Sequence, residues 1–368
     1  MRVLQQTFEQ PDAAESSFLE KLFSSSFLRG SYKDEKPVID AKICGSEQEQ
    51  RRMTSLINTI ANNSPTGRQI LENAAKAGYS FGFEMQPGSY GFCCEDEKVI
   101  RLNPVTRDAK LVATLAHEAR HAQQHIRKVP SKFCEFDVAT ELKLRRATEA
   151  DAQAAAAQVA LEISVATQSK KIWRAFENTD ADIARNIENP SSFKSIDDVI
   201  ANRDKTMQDA FKGWFENWRI VDAYEQGYLY SHMMQVGKCD QKEALALFAE
   251  KPFNGHKSSA EILQMVCTTD NKKSYFADNL NIMDEDARMC GLCKETRSAA
   301  DAFFRERKKM TGQPVDTSYQ NLPDRGGLFK SMQMALNGMP MSIKLSAEKK
   351  TLASPLSVVD MKRMRQGR

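Results

Sequence analysis

Five consecutive residues, His117-Glu118-Ala119-Arg120-His121, constrain this 368-residue chain more than any other feature. Histidines four apart share one face of a helix, a turn above one another, so both imidazoles can converge on a single ion. Glu118 projects about 60° around that helix from His121. It can face a water at the ion without taking a coordination position. H-E-x-x-H on a helix is the pattern of zinc binding and water activation.

The flanking residues predict the helix that the motif needs. Asn103-Pro104 offers an N-cap with proline at the first helical position, and Asp108 suits the positive helix end. Leu111, Val112, Leu115, Ala116, Ala119 and Ala122 supply an apolar surface at helical spacing. Val129-Pro130 stops the run. The expected helix is about 25 residues long.

A catalytic zinc site takes three protein ligands and leaves a fourth position open. His125 lies one turn beyond His121, but three ligands on successive turns would string along about 12 Å. His125 is therefore read as facing solvent or supporting the site from behind. The next expected helix, Asp137 to Ser164, carries Glu149 and Asp151, followed by Ala152 and Ala154 to Ala157, which permit close helix approach. Glu149 and Asp151 point about 200° apart, so only one of them can face the ion. Spacing leaves that choice open.

Three motifs stand in order: Ile100-Arg101-Leu102-Asn103-Pro104, Leu115-Ala116-His117-Glu118-Ala119-Arg120-His121-Ala122-Gln123-Gln124 and Glu149-Ala150-Asp151-Ala152. In this order they resemble the zincin metallopeptidases, more narrowly the gluzincins, and within them a group of uncharacterised bacterial metallopeptidases. The resemblance covers roughly residues 64 to 165. It implies an α+β fold: a zincin-like core of a helix, a small antiparallel hairpin or sheet, the HExxH helix and a Glu-bearing helix, with a mostly α-helical C-terminal region. It also implies Zn2+ held by His117, His121 and Glu149, Glu118 as general base, and hydrolysis of a peptide or protein substrate. The sequence departs from the pattern twice. Arg120 is charged where uncharged residues are preferred, and is expected to point away from the metal. Gln153 stands where the thermolysin-like E-x-x-x-D has its aspartate, which leaves the partners of the histidines unassigned.

The sheet is expected from Tyr79 to Met85, a turn at Pro87-Gly88, Tyr90 to Cys94, and Val99 to Leu102. Phe92 to Cys94 is the candidate edge for binding substrate by strand addition; an ordinary strand with buried thiols is the alternative. Further along, Trp214, Trp218, Tyr224, Tyr228 and His232 fall within 19 residues. Tyr224, Tyr228 and His232 share a helix face and are candidates to stabilise an oxyanion. An aromatic core stripe is the favoured alternative.

Four regions are expected: a loosely ordered lead over 1–50, a metallopeptidase core over 51–165, a helical region over 166–305 that could cover the cleft, and a basic C-terminal segment over 306–368. A net charge of +3 is too small to argue for nucleic acid. No apolar stretch approaches the roughly 18 residues of a membrane span. The first residues do not read as a signal peptide, so a cytoplasmic location is expected, with leaderless secretion as the alternative. The eight cysteines are read as reduced thiols. Cys290 and Cys293 could form a second zinc site with Cys239, Cys267 and His256, or a redox pair by themselves; packed thiols are preferred. Two rivals to peptide hydrolysis stand: a zinc hydrolase of a non-peptide amide, and a non-catalytic zincin-shaped binding or regulatory module.

Overall fold

Ser46 and Glu49 cap each other at the start of the first helix, α1 (Glu47–Asn63), each accepting a hydrogen bond from the other's backbone N–H. Ser64 ends α1 and opens α2 (Pro65–Lys76), where its hydroxyl accepts from the Gly67 N–H and Pro65 takes the first helical position. The computed structural model describes residues 32–86, 88–131, 136–238, 255–269, 273–312 and 314–326, with side chains except at 230–238, 307, 310 and 311. Residues 1–31 of the expected lead and the basic stretch from 340 lie outside the described residues.

Four short strands follow the order β1-β2-β4-β3: β1 (Lys42–Ile43), β2 (Ser80–Phe83), β3 (Gly91–Cys94) and β4 (Val99–Leu102). β1, β2 and β4 are parallel, and only β3 runs antiparallel, with Gly91 opposite Leu102 and Cys94 opposite Val99. The sheet is therefore mixed where an antiparallel hairpin arrangement was expected. The reason lies in β4, whose Val99, Ile100 and Leu102 are all buried. A strand apolar on both faces belongs in the middle of a sheet. Among the described residues, β3 comes last in the strand order.

Gly91 sets how closely that strand lies on the next helix, α3 (Asp108–Ile126). A Cβ at position 91 would stand 2.9 Å from the Arg101 carbonyl oxygen and 3.0 Å from both Leu102 Cδ2 and Thr114 Cγ2. Gly91→Ala is expected to cost about 1–3 kcal/mol, measured by urea unfolding. An alanine variant as stable as the wild type would mean that β3 and α3 are not in this contact.

α3 begins later than the Asn103-Pro104 signal suggests. The Asn103 amide instead donates to the carbonyls of Gln86 and Ser89, tying the chain before the helix to the β2–β3 loop. Arg52 of α1 then closes the entry to the helix, donating to the Pro104 and Thr106 carbonyls at 2.7 Å and to Asp108 Oδ1 at 2.8 Å. All six apolar residues expected on α3 are buried. α4 (Val138–Thr167) is capped by Asp137, which accepts from the Thr140 N–H at 2.7 Å. It packs along α3, with Ala154 to Ala157 fully inside.

Helices dominate the remainder, as expected: α5 (Lys171–Glu177), α6 (Ala181–Asn186), α7 (Ile196–Ala201), α8 (Arg203–Trp214), α9 (Trp218–Lys238), α10 (Ser259–Val266), α11 (Ile282–Glu285), α12 (Ala287–Cys290) and α13 (Lys294–Thr311). Among the described residues, no helix is long and apolar enough to cross a membrane. A buried cluster of charges ties α9 to α4 and to the chain beyond α12. Arg146 donates to Glu225 Oε2 at 2.6 Å and to the Gly291 carbonyl at 2.8 Å. Arg325 donates to the same Glu225 oxygen at 2.8 Å and also pairs with Asp222.

Cys290 and Cys293 are free and buried. Burial raises both thiols, Cys293 to about 11, and Cys293 Sγ accepts from the Thr296 N–H at the start of α13. Packed thiols describe them. Cys239 lies outside the described residues, and His256 is turned to Asp137 on the surface.

Candidate metal centre

His117 and His121 bring their Nε2 atoms to 3.0 Å of one another from successive turns of α3. Glu149, on α4, places Oε2 at 3.7 Å from each of those nitrogens. Three lone-pair donors thus form a small triangle. Ligands at about 2.0–2.1 Å from a tetrahedral ion stand about 3.3 Å apart, so the triangle is the right size for one ion. The Glu118 carboxylate belongs to the same group, lying within 4.8 Å of the two imidazoles and almost wholly buried.

Burial disfavours a charge on either ring. At His121 the Glu149 carboxylate outweighs burial and lifts the imidazole to about 9. At His117 burial and the neighbouring His121 prevail, and the ring falls below its ordinary value.

Asp151 is on the other side of α4. Its carboxylate is fully buried and receives Arg120 in a two-bond grip at 2.7 and 2.8 Å, with the Tyr275 hydroxyl at 3.0 Å and Gln124 Nε2 at 2.7 Å. Arg120 points away from the imidazoles, as expected, and its charge is spent on Asp151. His125 supports the cleft wall without joining the triangle: its Nδ1 lies 3.1 Å from the Tyr79 hydroxyl and 3.9 Å from Cys93 Sγ.

The triangle sits in a cleft of about 860 Å³. β3 contributes Gly91 and Cys93 to one wall, and α9 contributes Tyr224 and Tyr228 to another. The Tyr224 hydroxyl donates to Glu149 Oε2 at 3.3 Å. The tyrosine rings are 5.4 Å apart and Trp214 stacks edge-on behind Tyr224, so the aromatic stripe is both packing and cleft wall. His232 lies outside the residues whose side chains are described.

Residues 33–275 match the family model described as "Putative metallopeptidase family (DUF6782)". That is about two thirds of the chain and contains every residue of the triangle. The chain belongs to this metallopeptidase family. No curated protein and no solved structure matches it. The metallopeptidase match runs well beyond the 64–165 stretch that carries the motifs, taking in α1 and the α9 tyrosines. Residues beyond Tyr275, including Arg325, fall outside it.

Sequence reasoning missed Gln124 and Asp180. Gln124 accepts from His121 Nδ1 at 2.8 Å. Asp180 lines the cleft and receives both Lys110 and Gln153. Gln124 closes the motif from Leu115 that carries the resemblance and lies three residues past His121 on the same helix face, which was the available signal of its role.

Proposed function

We propose that the chain hydrolyses peptide bonds with a zinc ion held by His117, His121 and Glu149, and with Glu118 as general base. The observation that carries this reading is the triangle of two imidazole nitrogens and one carboxylate oxygen, closed to 3.0 and 3.7 Å. Two nitrogens and an oxygen suit zinc. Bound there, zinc supplies a Lewis acid that polarises a carbonyl and acidifies water. Glu118 takes the proton of the attacking water and delivers it to the leaving amine. Tyr228 faces the cleft from α9 and donates a hydrogen bond to the oxyanion, while the Tyr224 O–H is given to Glu149. Gly91 and Cys93 of β3 line the cleft that takes a peptide or protein substrate.

Elemental mass spectrometry on purified wild type and Glu149→Ala tests the site. The wild type is expected to carry about one zinc per chain, and the variant to lose most of it. Equal zinc in both would move the third ligand elsewhere. A wild type that takes up no zinc after reconstitution would favour a binding module of the same shape.

A further inference from the structure

We infer that each site histidine is oriented by its own relay of cation, carboxylate, glutamine and imidazole, and that Gln153 is the positioning residue for His117. The inference rests on the metal-site reading above.

The first relay is complete in the structure. Arg120 grips Asp151, and Asp151 Oδ2 accepts from Gln124 Nε2 at 2.7 Å. The Thr148 carbonyl accepts from the same amide nitrogen at 3.0 Å. With its NH2 group committed twice, Gln124 can offer His121 only its carbonyl oxygen, which lies 2.8 Å from Nδ1. An acceptor there holds the proton on Nδ1 and leaves the Nε2 lone pair aimed at the triangle.

The second relay repeats the first with different residues. Lys110 Nζ contacts Asp180 Oδ2 at 3.1 Å, and is itself steadied by Thr179 Oγ1 at 2.6 Å and the Tyr90 ring. Asp180 Oδ1 accepts from Gln153 Nε2 at 2.6 Å. The Gln153 amide is thus fixed with its NH2 group toward Asp180 and its carbonyl oxygen left over. His117 directs Nε2 at the triangle, while its Nδ1 is buried and makes no hydrogen bond. Buried polar atoms of this kind are rarely left unmet. Gln153 lies one turn past Glu149 on α4 and lines the same cleft as His117. When Nε2 engages an ion, Nδ1 must carry the proton, and the Gln153 carbonyl is the group placed to receive it. Gln153 also stands at the sequence position where a carboxylate was expected and not found. A neutral amide, anchored on a carboxylate one step removed, takes that role.

Zinc affinity measured by chelator competition on the full chain tests this with Gln153→Leu and Gln153→Glu. The leucine variant is expected to bind zinc about 10- to 100-fold more weakly. The glutamate variant keeps an acceptor oxygen but loses the donor to Asp180, and is expected to fall between the leucine variant and the wild type. Nitrogen-15 spectra of the zinc-loaded wild type should show a slowly exchanging His117 Nδ1 proton that is lost in the leucine variant. Wild-type affinity in Gln153→Leu, or an equal loss in both variants, would overturn the role of Gln153 while leaving the site intact. A wild type that binds no zinc would overturn the proposed function and this inference together.

Discussion

Glu118→Gln is expected to keep its metal and lose peptide hydrolysis by about 10²- to 10⁴-fold. Glutamine preserves the shape of a side chain that is almost wholly buried beside the two imidazoles. It removes only the capacity to take a proton. Because His117, His121 and Glu149 are untouched, metal content measured on the same sample separates loss of the base from loss of the site. Full turnover in a metal-loaded variant would sink the general-base assignment. An unchanged affinity for a protein partner, with no turnover in either form, would favour the binding module.

The second large effect falls on stability. Arg120→Leu is expected to destabilise the fold by about 3–5 kcal/mol, the usual cost of removing one partner from a buried ion pair. Asp151 is 0% exposed and would keep a charge that its remaining neighbours, Gln124 and Tyr275, cannot neutralise. Removing both charges should cost much less, because the desolvation penalty leaves with them. Urea unfolding of Arg120→Leu, Asp151→Leu and the double variant makes the comparison. If the double variant is as unstable as the sum of the singles, the two side chains do not act as a pair.

The HExxH helix was legible because spacing of four residues has one consequence on a helix, whatever surrounds it. The helix start was not. Asn103-Pro104 is a good local cap signal, but its amide is drawn to the β2–β3 loop, and an arginine some fifty residues earlier closes the helix entry instead. The choice between Glu149 and Asp151 needed the same kind of distant information. Their opposition on the helix was readable, whereas the side that faced the imidazoles depended on where Arg120 would turn. Strand positions were close to those expected, yet pairing was not, since local alternation does not say that β4 would separate β2 from β3. The helix α1 carried an S-x-x-E cap that was there to be read. The glutamines stood at motif positions, but what they do depends on the carboxylates that orient them.

The buried charges around Glu225 bear on how this protein can be cut and recombined. Its family likeness ends at Tyr275, but Arg325 and the carbonyl of Gly291 come from later in the chain. A chain divided at that boundary would keep Asp222 and Glu225 inside with one guanidinium between them instead of two. The helix thus unbalanced is α9, which carries the tyrosines of the cleft. The family match is therefore shorter than the stretch of chain that packs around Glu225. Chimeras between relatives should be joined beyond Arg325, so that α9 travels with the cations that hold it in place.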